Sequence, residues 1–254
     1  MVVLILFVAQ VAIGVAVSLV YDVPVSWSLW YAIVLPVVHI GLGSALAALH
    51  KLFLNTDTGE HLSRVNIANV LSMIRVSSSP TLLWLVLIAS EYPVVPVLVP
   101  LAALVFLTDL LDGQISRRTH QTTRIGRYLD STSDYTVLFI VAVALVAYQL
   151  ISLWLFVVLM LRFGLQVVGQ VVLFVAQKWK IDFRTSFLGK ASVFTVMTVF
   201  ALALLGLLDV LPQWYTTLLT AAEYVTGAIA VVSLAEKVFL FTVDARNVPE
   251  RKRS

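Results

Sequence analysis

The chain has 254 residues, of which 60% are apolar and only 12% are charged. Soluble globular domains carry about 45–50% apolar and about 25% charged residues, and disordered chains are poor in apolar residues, so both classes are excluded. The net charge of +3 is mild and favours attraction to anionic lipid over binding to nucleic acid. The absence of cysteine excludes disulfides, thiol catalysis and cysteine zinc sites. The composition therefore predicts an integral membrane protein without a nucleic-acid partner.

Eight apolar segments approach the length of about 20 residues that a membrane-spanning helix needs. They lie at 2–20, 29–50, 66–90, 94–112, 130–149, 152–176, 192–208 and 217–242. They predict an all-α, polytopic membrane helical bundle. The first two form an N-terminal transmembrane hairpin over 1–50, because the first lacks the basic start and cleavage site of a signal peptide. The chain continues as an interfacial segment or an ordinary loop over 51–65, a six-helix core over 66–242 and a basic tail over 243–254.

The basic residues are confined to alternate connections and to the helix ends beside them. The regions 51–75, 117–127, 178–190 and 237–253 contain every Lys and Arg except Arg162, and the intervening connections contain none. Cytoplasmic connections of membrane proteins are enriched in Lys and Arg. The pattern therefore predicts that these regions, and with them both termini, face the cytoplasm.

Four carboxylates lie in or beside the fourth and fifth apolar segments, namely Asp109, Asp112, Asp130 and Asp134. An ionised residue at membrane depth costs about 2.5–3.5 kcal/mol on insertion scales, so each needs a physical reason. Spacings of three and four residues put each pair on one helical face. Because the connection between the two segments is short, we expect antiparallel neighbours that bring all four carboxylates together at the cytoplasmic side.

Four neighbouring carboxylates repel one another unless some are protonated or cations neutralise them. A set of oxygen ligands without His or Cys suits Mg²⁺, Mn²⁺ or Ca²⁺. Two divalent ions held close together are a recurrent device for displacement at phosphorus. The alternative for any single aspartate is that it caps a helix or pairs with an arginine, but the arrangement of all four favours a metal site.

The signature that contains these aspartates reads D-L-L-D-G-Q-I-S-R over 109–117 and G-R-Y-L-D-S-T-S-D over 126–134. It resembles the signature of the CDP-alcohol phosphotransferase family, D-x-x-D-G-x-x-A-R-x(8)-G-x-x-x-D-x-x-x-D. Seven of the eight fixed residues match, and Ser116 stands where the family usually has Ala. The resemblance extends over about 64–242 through Asn69, Ser72, Arg75 and Pro80, and through Leu-Gly-Lys at 188–190.

The resemblance implies transfer of a substituted phosphate from a CDP-alcohol to a second alcohol, with release of CMP. It implies two divalent ions, Mg²⁺ or Mn²⁺, held by Asp109, Asp112, Asp130 and Asp134, with Asp134 also acting as the general base. It implies a CDP pocket formed by Asn69, Asp112, Gly113, Ser116, Arg117 and Gly126. It also implies a homodimer. The hairpin over 1–50 is not part of the usual six-helix core, and no chemistry is assigned to it. Helix packing is the alternative role for each glycine taken alone.

The acceptor is the least defined part of the prediction. Arg162 lies inside an apolar segment and must face the bundle interior or a water-filled cavity. It would recognise a phosphate on the acceptor together with Arg184 and Lys190, and a salt bridge within the bundle, for instance to Glu236, is the alternative. A phosphorylated acceptor favours glycerol 3-phosphate, with CDP-diacylglycerol as the donor.

Other acceptors stay open. The resemblance is shared between the phosphatidylglycerolphosphate synthase and phosphatidylinositol-phosphate synthase branches, and Tyr135 stands where those branches usually have Lys or Arg. Inositol phosphate therefore remains an alternative acceptor, while serine, or choline and ethanolamine transfer to diacylglycerol, are less similar. The non-enzyme alternative is an ion-coupled transporter, because Asp and Arg within the membrane also mark ion pathways. Transporters often show repeats with broken helices, and the sequence shows neither.

Overall fold

The computed structural model describes residues 1–49, 67–119, 124–176, 187–206, 212 and 214–246. Within these ranges it describes only the backbone of some helical residues, including 109, 110 and 112–119. The interfacial segment predicted over 51–65 and most of the basic tail lie outside the described residues.

The described residues form eight α-helices and no strand, which confirms the predicted all-α, polytopic class. The helices are α1 (Val2–Val20), α2 (Val25–Ala48), α3 (Ile67–Ile88), α4 (Val95–Thr119), α5 (Arg124–Ala147), α6 (Leu153–Ala176), α7 (Phe187–Leu205) and α8 (Trp214–Arg246). Helices α4 and α5 run beyond their apolar segments, so both halves of the aspartate signature are helical. The apolar pattern ends where the signature begins, but the backbone hydrogen bonding continues through the polar residues.

Five of the described helices are long and apolar enough to cross a membrane. These stretches are Val2–Val20, Val25–Ala48, Asn69–Ile88, Phe187–Leu205 and Trp214–Leu240. The described parts of α4, α5 and α6 contain shorter apolar stretches, at Val95–Val105, Thr132–Ala147 and Leu153–Gly169. By length and composition the structure therefore supports an integral membrane protein.

The chain divides into two compact units, Met1–Ile140 and Val141–Ser254. In the first unit α3 is the central helix, and its Trp84, Leu85 and Ile88 are fully buried. The hairpin α1–α2 packs against α3, and the ring of Tyr31 stacks on Trp84 at a centroid distance of 4.6 Å. The predicted hairpin is therefore an integral part of the core of the first unit.

A buried polar network joins α1 and α2 to α3. The side chain of Gln10 donates to Ser78 Oγ at 3.0 Å and accepts from Thr81 Oγ1 at 2.6 Å. The hydroxyl of Tyr31 donates to the Gln10 carbonyl at 2.7 Å and lies 2.9 Å from Thr81 Oγ1. Buried polar groups are costly unless they are hydrogen-bonded, so this network specifies one register of the hairpin on α3.

Gly14 lies where α1 meets the ring of Tyr31. A Cβ atom at this position would lie 2.2 Å from Tyr31 Cε1, and the ring cannot move easily because it is hydrogen-bonded and stacked. We expect Gly14→Ala to lower the free energy of unfolding by about 1–3 kcal/mol through overpacking. Thermal unfolding in detergent measures this loss. Gly43→Ala is the matched control, because a Cβ there meets no atom within 4 Å. Equal melting temperatures for the two variants would contradict the proposed close contact.

In the second unit α6 and α8 are joined at the start of α6. Glu223 of α8 accepts hydrogen bonds from the backbone N–H of Ser152 at 3.0 Å and from its hydroxyl at 2.6 Å. A carboxylate at this position satisfies an otherwise unpaired N–H group and complements the positive end of the helix. Close to this contact, the ring of Trp154 on α6 stacks on that of Tyr224 on α8 at a centroid distance of 5.2 Å. These contacts fix the packing of α8 on α6.

Candidate active site

The centre of the candidate site is an ionic contact between α3 and α5. Arg75 of α3 donates from Nη1 to Asp134 Oδ1 and from Nη2 to Asp130 Oδ1, both at 2.9 Å. The arginine side chain is 1% exposed, whereas each aspartate side chain is 51% exposed. We call these three residues the arginine clamp.

The clamp follows from helix geometry. Asp130 and Asp134 are four residues apart on α5 and therefore share one helical face. The guanidinium is planar and presents its donors as a fork, so one arginine can hold both carboxylates in a fixed orientation. One positive and two negative charges leave a net negative charge at the clamp. The exposed halves of the carboxylates can therefore receive a cation or a hydroxyl group.

Two buried polar residues precede Arg75 on α3. Asn69 and Ser72 are buried, at 1% and 3% exposure, and lie six and three residues before Arg75. Ser72, three residues before Arg75, shares its helical face. The predicted CDP-binding residue Asn69 lies almost two turns before Arg75 and, at 3.6 residues per turn, about 120° further round the helix. Ser133 on α5 is fully buried and donates to the Asp130 carbonyl at 2.8 Å.

The other predicted residues of the signature lie on α4. Its backbone carries Asp109, Asp112, Gly113, Ser116 and Arg117 in continuous helix, and their side-chain positions lie outside the described part of the chain. Gly126, four residues before Asp130, lies on α5 and is partly exposed. Among the described side chains no group of three or more His, Cys, Asp or Glu residues is close enough to hold a metal ion. This finding does not include Asp109 and Asp112, so the four-aspartate metal site stays a prediction.

The clamp offers the type of ligand atom that a divalent cation prefers. Half-exposed carboxylate oxygens are the ligands that Mg²⁺ and Mn²⁺ prefer, and the excess negative charge favours a bound cation.

Two of the predicted acceptor residues lie in the second unit. Arg162 on α6 is 5% exposed and donates from Nη2 to the Gly189 carbonyl of α7 at 3.2 Å. Its guanidinium carbon also lies 5.7 Å from the centre of the Phe163 ring. This contact places Arg162 beside Gly189, the residue that precedes Lys190. The side chain of Lys190 is exposed. Arg184 lies outside the described residues.

Sequence reasoning missed the role of Arg75. The sequence pattern places Arg75 among the cytoplasmic charges and within the family resemblance, with no contact assigned to it, whereas the structure places it eight residues into α3 and buried. The alternative that aspartates pair with an arginine is confirmed for Asp130 and Asp134. The available signal was a permanently charged residue inside an apolar segment, where it needs a partner.

Comparison with known proteins agrees with the signature. The sequence model of the CDP-alcohol phosphatidyltransferase family matches residues 65–235, and the chain belongs to this family. A curated relative from Streptomyces coelicolor, "Cardiolipin synthase (CMP-forming)", is 33% identical over 148 residues. That alignment covers 56% of this chain and 66% of the relative, slightly less than two thirds of its length. No solved structure matches. The family match includes α3 to α7 and most of α8 and leaves the hairpin α1–α2 outside.

Proposed function

We propose that the protein is a membrane enzyme of phospholipid synthesis that transfers a phosphatidyl group from CDP-diacylglycerol to an acceptor hydroxyl and releases CMP. The observation that carries this proposal is the arginine clamp. It presents the last two aspartates of the family signature side by side and half exposed. The family supplies the CDP-alcohol class of the donor.

The backbone positions of the four aspartates support one shared site. Only residues 120–123 separate α4 from α5, and such short connections join antiparallel neighbouring helices. Asp109 and Asp134 each lie ten residues from the helix end beside this connection, and Asp112 and Asp130 lie seven and six. At a rise of 1.5 Å per residue these distances are about 15 Å for the outer pair and about 10 Å for the inner pair. Antiparallel packing would therefore bring the four carboxylates to similar heights along the two helix axes.

Asp109, Asp112, Asp130 and Asp134 would hold the divalent ions, two of Mg²⁺ or Mn²⁺. When bound, such ions neutralise the charge of the diphosphate and of the departing CMP. The pocket that binds the CDP part of the donor would be formed by Asn69, Asp112, Gly113, Ser116, Arg117 and Gly126. Support for this assignment comes from the buried position of Asn69 on α3, the helix that carries Arg75, and from the helical spacing of Gly126 and Asp130.

The chemical step replaces one phosphorus–oxygen bond with another. The acceptor oxygen bonds to the phosphorus that carries diacylglycerol, and the bond from that phosphorus to the CMP oxygen breaks. CMP leaves with the electron pair, and the hydroxyl proton passes to the carboxylate of Asp134. A general base must lie within hydrogen-bond reach of the proton that it accepts. Arg75 contributes by fixing the orientation of that carboxylate through its contact with Oδ1.

The sequence and the name of the relative favour two different acceptors. Glycerol 3-phosphate is the acceptor that sequence reasoning favours, with Arg162, Arg184 and Lys190 as phosphate-binding residues. The burial of Arg162 and its contact next to Lys190 support that assignment. The second acceptor is phosphatidylglycerol, which the name of the relative favours. A synthase that forms cardiolipin and CMP must join a CDP-activated phosphatidyl group to phosphatidylglycerol, because these two parts make up cardiolipin.

The distribution of Lys and Arg supports an active site that faces the cytoplasm, with both termini on the same side. We propose a homodimer on the basis of the family alone.

A metal-dependent assay tests the proposed function. We expect the purified full-length protein to release CMP from CDP-diacylglycerol when MgCl₂ and an acceptor are present. Removal of divalent ions with EDTA should abolish release, and added Mg²⁺ or Mn²⁺ should restore it, because the diphosphate charge must be neutralised. Lipid products are scored for glycerol 3-phosphate, inositol phosphate, serine and phosphatidylglycerol. Release that is unaffected by EDTA would refute the metal assignment, and the absence of CMP with every acceptor would refute the function.

A further inference from the structure

An apolar groove lies between α2, α3 and α5 of the first unit, with a volume of about 260 Å³. Helix α2 supplies most of its wall, including Gly41, Leu42 and Ala45. Thr132 of α5 is the one polar side chain that lines it among the described residues. We call this cavity the α2 groove.

The α2 groove reaches the same helical turns as the arginine clamp. Val76, which lines it on α3, follows Arg75 directly in the sequence. On α5, Leu129 precedes Asp130, and Thr132 lies between the two clamp aspartates. A molecule in the groove would therefore lie beside the reacting end of the site.

Small residues on α2 keep the groove open. A Cβ atom added to Gly41 would meet no atom within 4 Å. Gly41 and Ala45 are both exposed, and α2 is long and apolar enough to cross a membrane. The groove therefore lies on a surface that contacts lipid, where an acyl chain can enter it without crossing water.

A buried histidine joins α2 to α3 beside the groove. The side chain of His39, 5% exposed, contacts Ser77 Oγ of α3 through Nε2 at 2.8 Å and the Leu35 carbonyl through Nδ1 at 2.8 Å. Ser77 follows Val76, so this contact fixes the distance between the two helices that form the groove. A preformed cavity binds its ligand with a smaller entropic cost than one that must open.

We propose that the α2 groove binds an acyl chain of the acceptor, so that the second substrate is a membrane lipid with a free headgroup hydroxyl. This inference rests on the proposed function. The donor is common to a family whose model begins at residue 65, and the helix that forms most of the groove lies before that boundary. The groove is therefore an addition to the donor-binding core, and the substrate that it serves is the acceptor. Phosphatidylglycerol has the required chemistry, with acyl chains for the groove and a hydroxyl for Asp134.

A pair of glycine variants tests this assignment. Gly41→Leu would fill the groove, whereas Gly43→Leu adds the same side chain two residues away on the same helix, where a Cβ atom also meets nothing within 4 Å. Gly43 does not line the groove. Wild type and both variants are reconstituted in phosphatidylcholine vesicles with CDP-diacylglycerol and increasing amounts of phosphatidylglycerol. The rate of CMP release and the lipid product are measured.

We expect Gly41→Leu to raise the phosphatidylglycerol content required for half-maximal rate by at least about tenfold, as a change of a few methylene groups does in an apolar pocket. The requirement for CDP-diacylglycerol should stay the same, and Gly43→Leu should behave as wild type. Phosphatidylglycerol with six-carbon chains should restore the rate of Gly41→Leu towards that of wild type.

Four results would overturn the inference. If wild type uses glycerol 3-phosphate but not phosphatidylglycerol, the proposed function stands and the lipid acceptor is wrong. If Gly41→Leu raises the requirement for CDP-diacylglycerol instead, the groove holds a donor chain. If the two leucine variants behave alike, the groove has no role in acceptor binding. If no acceptor supports CMP release, the proposed function fails and this inference fails with it.

Discussion

Replacing Asp134 with asparagine is expected to reduce CMP release by about 10²–10⁴-fold, which is the contribution typical of a positioned general acid or base. Asparagine keeps the size of the side chain, and its oxygen can still accept the hydrogen bond from Arg75 Nη1. The variant should therefore fold normally, but it lacks the carboxylate that accepts the acceptor's proton. The rate of CMP release at saturating donor and acceptor is the measurement.

Asp22→Asn is a suitable control for this loss. Asp22 lies in the turn between α1 and α2 with a positive φ of 50°, a conformation that asparagine also adopts readily. The control removes one carboxylate without affecting the signature and should retain wild-type activity. If Asp134→Asn is as active as Asp22→Asn, then Asp134 is not the base.

Replacing Arg75 with lysine is expected to reduce activity by about 10²-fold, a loss typical of a misplacement of about 1 Å in a catalytic group. Lysine keeps the positive charge but is a point donor that cannot fork onto both Asp130 and Asp134. At least one carboxylate would then lose the orientation that the 2.9 Å contacts impose. Steady-state rates for the variant, measured alongside its melting temperature, separate loss of orientation from loss of fold.

Arg75→Met is the companion variant because it removes the charge at a similar side-chain volume. It should be at least as inactive as Arg75→Lys, since the two carboxylates then repel each other without a cation between them. A lysine variant with full activity would show that charge alone is required, and the fork geometry would then have no catalytic role.

The helices were largely predictable from the sequence, but the way in which they pair was not. Apolar length is a local property, and it predicted all eight helices to within several residues at most ends. It failed at the end of α4, where the apolar stretch stops near Asp112 while the helix continues to Thr119. Backbone hydrogen bonds do not depend on side-chain polarity, so a polar signature can prolong a helix beyond its apolar segment.

The aspartates of the site were predictable from the sequence, but the arginine that binds two of them was not. The spacing of Asp130 and Asp134 already placed them on one face of a helix. That Arg75 binds both depends on how α3 is rotated against α5, and contacts between residues 55 and 59 positions apart leave no periodic signal. The hydrogen bond between His39 and Ser77 was unpredictable for the same reason, since each residue alone is an ordinary packing residue.

The arginine clamp joins two helices that are synthesised at different times. The two carboxylate partners of Arg75 lie 55 and 59 residues further along the chain. At about 5–20 residues per second, α3 exists for roughly 3–12 s before α5 is complete. During that interval a permanently charged side chain, which costs about 2.5–3.5 kcal/mol at the centre of a membrane helix, lacks those two partners. The contacts of Arg75 with Asp130 and Asp134 can therefore form only after α5 has been made, and they offset part of this cost in the assembled unit.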